Sequence, residues 1–87
     1  MRIWFREIKD SRPLQNQILE DLSEDTRTHK VFGAIEKICH DWDLAVPIWL
    51  DSNVAEFKRR SVTRFNQDNF IDEIEFDYLE IRVLEED

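Results

Sequence analysis

DTRTHKVFGAIEKICHDW, residues Asp25 to Trp42, is the stretch around which the rest of the chain is arranged. At helical spacing, Val31, Phe32, Ile35, Ile38, Cys39 and Trp42 share one face. That is the pattern of a helix packed on a flat surface. Arg27, Lys30, Glu36 and Lys37 mostly turn away from it. Six apolar side chains, each contributing about 1.5–3 kcal/mol when fully buried, make this the largest block of core. The reading is one long helix over about residues 26–42. Ser23, Asp25 and Thr26 offer oxygens to cap its start, and acidic Glu24 and Asp25 suit its positive end. No glycine stops the helix. Pro47 biases Val46 to an extended conformation, so the helix is expected to end near Trp42 or Asp43. Gly33, the only glycine, lies inside it at a cost of about 1 kcal/mol against alanine. A close approach to a strand backbone and an open surface position are both compatible with it.

The flanking segments read as strands and turns. In RIWFREI, residues 2–8, Ile3 and Phe5 share one face, while Trp4, Arg6 and Ile8 share the other. Lys9 to Pro13 carries turn chemistry, and LQNQILE, residues 14–20, pairs back as a hairpin. PIWL, residues 47–50, reads as a short strand. A helical insert over about 53–60 follows, capped from Asp51-Ser52-Asn53, with Val54 and Phe57 inward. Thr63 to Phe65 reads as a very short strand and Asp68 to Asp72 as a turn of helix. The closing strand is Asp77 to Glu85. Leu79, Ile81 and Val83 face one way, and Tyr78, Glu80, Arg82 and Leu84 the other.

Eighty-seven residues make one domain, 1–87, of the α+β class. A single cysteine excludes an internal disulfide and suits a reducing compartment. MRIWFREIKD lacks the apolar core of a signal peptide, and no run is long enough to span a bilayer. A cytoplasmic, bacterial-type setting is the expectation. Residues 1–67 hold 11 acidic and 11 basic side chains, so the net charge of −8 resides in residues 68–87, where nine acids meet only Arg82. Such a field keeps the protein soluble, disfavours nucleic acid and anionic membranes at that end, and favours a basic partner.

The order strand, strand, long helix, strand, insert, strand resembles the ubiquitin-like β-grasp fold. MRIWF opens the layout, followed by the hairpin, the Asp25-Thr26 helix start, PIWL and YLEIRVLE. The resemblance implies a mixed sheet of about four strands, with the first and last adjacent and parallel and the helix crossing one face. The Leu84-Glu85-Glu86-Asp87 end departs from the Gly-Gly tail of the carrier proteins, and the lone cysteine departs from the four that hold a cluster in β-grasp ferredoxins. Through THKVF, PIWLDS, EFKRR and DNFIDEIEFDYLEI, the chain also resembles a family of small acidic bacterial proteins. That second resemblance brings no activity with it.

Chemistry-bearing residues are sparse, so neither catalytic nor metal-binding residues nor a cofactor are expected. Cys39 and His40 point about 100° apart on a helix and form no nucleophile–base pair. Cys39 reads as a small core residue. His29 and His40 are about 16 Å apart along the helix and cannot share a metal. No phosphate loop, nucleophile elbow or zinc signature is present. Two functional readings remain. The first is a non-enzymatic protein-interaction module, binding a protein partner or a second copy through an open aromatic sheet face. Its residues are Trp4, Arg6, Tyr78, Arg82 and Leu84, with Trp49 joining them. The alternative is a nucleic-acid-associated protein using Lys58, Arg59, Arg60 and Arg64, with Phe57 or Phe65 as a stacking platform. The acidic balance argues against it.

Overall fold

The computed structural model describes all residues, 1–87. Its first strand, β1 (Arg2–Lys9), turns into a second, β2 (Arg12–Glu20). Asp10 and Ser11 form the two-residue turn, both with positive φ (51° and 63°). Their twist matches that of the strands, the usual requirement of a tight hairpin, although neither residue is glycine. Two helices follow, α1 (Arg27–Asp41) and α2 (Asp51–Arg60), then β3 (Val62–Phe65), a single 3-10 turn over Gln67–Asn69, and β4 (Tyr78–Glu85). The sheet order is β2-β1-β4-β3, antiparallel throughout. The fold is α+β, with both helices on one face of the sheet.

The first and last strands are neighbours at the centre, as expected, but they run antiparallel and not parallel. The polarity comes from the connection. β3 leads into the segment 66–77, which carries the chain to the end of β1. There the Asp77 amide donates to the Ile8 carbonyl at 2.8 Å, and β4 returns toward Arg2. The mixed sheet implied by the β-grasp resemblance is therefore not what forms. Nor does PIWL form a strand. Residues 44–50 run extended without a ladder, held where Ile48 donates to the Asn69 carbonyl and its own carbonyl accepts from Asn69 Nδ2.

Thr26 caps α1, accepting from the His29 amide at 3.2 Å. At the other end, Leu44 donates to the Cys39 carbonyl and Asp43 to that of His40, with Asp43 left-handed at φ 54°. This is a Schellman closure with aspartate where glycine is usual. α2 starts from Leu50, whose amide donates to Asn53 Oδ1 one turn ahead. Its core anchor is Phe57; Val54, expected inward beside it, is partly exposed.

The core is the helix-facing side of the sheet. Ile3, Phe5, Leu79 and Ile81 are at most 1% exposed and meet Val31, Ile35, Ile38 and Cys39 of α1. Phe57, Phe65, Phe70 and Phe76 extend the same cluster on the helix side, while Glu56 and Arg60 of α2 reach the edge of the opposite face beside Val62, Arg64 and Arg82. Trp49 belongs to the core side too. Its ring meets Phe32, Phe57 and Phe65 edge-on, with centroids 5.0–5.9 Å apart. Phe32 is itself partly exposed beside it. One side chain of α1 also needs correction. Lys30 is buried, and its Nζ pairs with Asp87, which also accepts from the Met1 amino group at 2.6 Å. A Cβ placed on Gly33 would meet nothing within 4 Å, so close helix–strand approach does not explain the glycine.

Candidate interaction face of the sheet

Strand alternation sends Trp4, Arg6, Tyr78, Glu80, Arg82 and Leu84 to the outer face. Register then sets their neighbours. Trp4 lies opposite Arg82 on β4 and Ile18 on β2, while Arg6 lies opposite Glu80 and Asn16. Arg64, from β3, lies opposite Glu80 on the other side. Glu80 is thus flanked by two arginines, one on each neighbouring strand.

The arrangement is tightly coupled. Arg6 donates to Glu80 Oε2 through Nε at 3.0 Å and also through Nη2, and Arg64 Nε donates to Oε1 at 3.2 Å. Each guanidinium then covers an aromatic ring. Arg6 stands over Trp4 at 4.6 Å and Arg64 over Tyr78 at 4.4 Å. Glu80 is only 1% exposed beneath them. Burial by itself would raise its pKa, but the Arg6 and Arg64 hydrogen bonds, with the Arg6 and Arg82 charges, hold it below the usual glutamate value. Arg82 has no ion-pair partner, while Arg2, at the margin, reaches Glu85 at 3.2 Å. Leu84 and Ile18 are substantially exposed.

The face therefore carries three arginines around one carboxylate in a chain whose net charge is −8. It can present fixed guanidinium donors between apolar side chains. Such a surface suits the recognition of carboxylates.

The structure gathers five of the six expected interface residues, Trp4, Arg6, Tyr78, Arg82 and Leu84, and excludes Trp49. It adds Arg64, Glu80 and Ile18. Alternation along β4 already grouped Glu80 with Tyr78 and Arg82, whereas the pairing of β3 with β4 that delivers Arg64 has no sequence signature. Of the basic cluster 58–64, Arg59 and Arg60 each share a hollow with Arg64, and Arg64 itself stands on the sheet face. Lys58 borders the groove between the helices, Arg59 a polar hollow with Ser52 and Asn66, and Arg60 pairs with Glu56 at 3.2 Å. No group of three or more His, Cys, Asp or Glu side chains is placed to hold a metal, and no helix is long and apolar enough to cross a membrane. Comparison with family models, with curated proteins and with solved structures finds no match.

Proposed function

We propose that this chain is a non-enzymatic, cytosolic protein-interaction module whose outer sheet face docks a partner protein through carboxylates set beside an apolar patch. The observation that carries it is the Trp4–Arg6–Glu80–Arg64–Tyr78 array, with Arg82 unpaired beside it. Trp, Tyr and Arg are the side chains most often decisive at interfaces. Here they are already ordered, so little conformational freedom is lost on binding. A second copy is the poorer occupant, because two positive faces would meet in an isologous dimer of two −8 chains. Nucleic acid is also poorer. Base stacking needs a free ring face, and guanidinium groups stand over both rings. Ubiquitin-like domains bind partners through their open sheet face. That resemblance supports the reading only as a layout, given the antiparallel central pair.

The test is capture from the source cell with wild type, Trp4→Ser and Arg82→Glu, with and without nuclease, and then reconstitution with the purified candidate. Capture should be lost in both variants and survive nuclease. It should return to Arg82→Glu when an interface carboxylate of the partner is changed to lysine. Capture unaffected by both variants, capture abolished by nuclease, or self-association through Trp4 would each overturn the proposal.

A further inference from the structure

A second surface, away from the sheet face, has the opposite chemistry. Between the end of α1 and the segment before β4 lies a cleft of about 420 Å³. Its lining is partly apolar. Trp42 and Leu44 border it, with Phe70 and Phe76 packed edge-on, centroids 5.8 Å apart. Its rim is acidic: Glu7, Asp43, Asp72, Glu73 and Glu75 line it, and no lysine, arginine or histidine does. None of these five carboxylates takes part in an ion pair, although the chain forms nine others.

Glu7 makes this more than a solvated acidic patch. It sits on the core side of β1, opposite Leu79, and is more than nine-tenths buried. Gln15 Nε2 donates to its Oε2 at 2.7 Å. Its Oε1 receives no hydrogen bond, yet it is not sealed from solvent. The free oxygen of this carboxylate can still accept a hydrogen bond from a cationic donor.

We infer that this cleft receives an arginine side chain from a segment of a partner protein. The aliphatic stem and the flat guanidinium face lie on Trp42, Phe70 and Phe76, and the donors reach Glu7 and the rim. Arginine fits better than a compact ammonium, because it stacks on rings and offers a planar fork to carboxylates. The cleft has the size of an ordinary ligand site. The inference does not depend on the sheet-face proposal, since no residue is shared.

The experiment uses the intact chain and a short capped peptide with one central arginine, compared with the same peptide carrying citrulline, a neutral isostere. Calorimetry reads affinity, and backbone amide shifts read location. The arginine peptide should bind and shift residues 42–45 and 70–76, and citrulline should weaken it about tenfold or more. Glu7→Gln keeps the acceptor for Gln15 and should lose a similar factor, with melting as the check on folding. Glu73→Gln/Glu75→Gln, on the exposed rim, gives a second reading that does not touch the core. Glu24→Gln, far from the cleft, should change nothing. Equal binding of the citrulline peptide, equal loss in Glu24→Gln, shifts confined to other surfaces, or tighter binding of free spermidine than of the peptide would each overturn the inference.

Discussion

Cys39 shows how one side chain is governed by its position on a helix. It is 1% exposed, and burial pushes its thiol up to about 11. The thiolate is the reactive form, so alkylation of the native protein at neutral pH should be slow and should become fast in denaturant. Labelling with a chromogenic thiol reagent checks it, and rapid native labelling would contradict the packing. Gly33 gives the converse case. With open space where its side chain would project, Gly33→Ala should stabilise by about 0.5–1 kcal/mol through helix propensity. Thermal or urea melting measures this. Trp4→Ser removes a half-exposed ring and its contact with Arg6, and should cost only about 1 kcal/mol. A loss of several kcal/mol would make Trp4 a core residue. The parity of β1 and the apolar face of α1 were legible in residues such as Ile3, Phe5, Ile35 and Cys39. Trp49 was not, because a residue between a helix and an irregular segment has no period to place it.

At the scale of elements, the four strands that form were legible, PIWL was misread as a fifth, and the strand directions were not legible. Alternation survives reversal of a strand, so Leu79, Ile81 and Val83 face the core whichever way β4 runs. Direction comes from the 66–77 connection, whose polar residues have no repeating pattern. Against it packs Asn53 of α2, whose side chain joins three elements. It accepts from the Leu50 amide and Asn69 Nδ2, and donates to Thr63 Oγ1 and the Arg64 carbonyl. Asn53→Ala leaves those buried partners unmet and should cost about 2–4 kcal/mol. A cost below 1 kcal/mol, measured by urea unfolding, would mean that water replaces the side chain. Glu80 links β1, β4 and β3 in the same manner on the other face. Its folded pKa lies below the ordinary 4.5, so its contribution is present above that pH and is lost as pH falls through the folded value. Glu80→Gln should therefore be less stable than wild type at pH 7, by about 1–3 kcal/mol. The gap should narrow on acidification, and paired melts at pH 7 and pH 3 test that sign.

For the molecule as a whole, the net charge of −8, which in sequence resides in residues 68–87, is redistributed by the fold. Four acids of residues 68–87 are paired internally: Glu80 with Arg6 and Arg64, Glu85 with Arg2, Glu86 with Arg27, and Asp87 with Lys30 and the Met1 amino group. Asp72, Glu73 and Glu75 line the cleft before β4, while three arginines occupy the outer sheet face. The protein is thus electrically bipolar. The antiparallel pairing at its centre also bears on how the chain is made. β1 is synthesised first, and its inner neighbour β4 comes after every other element. Until β4 has left the ribosome, one long edge of β1 has no partner, and Ile3 and Phe5 have nothing from β4 to pack against. Contacts so distant in sequence close slowly. A nascent chain that has reached β3 but not β4 therefore exposes an adhesive strand edge, and its demand for chaperones should fall once β4 has emerged.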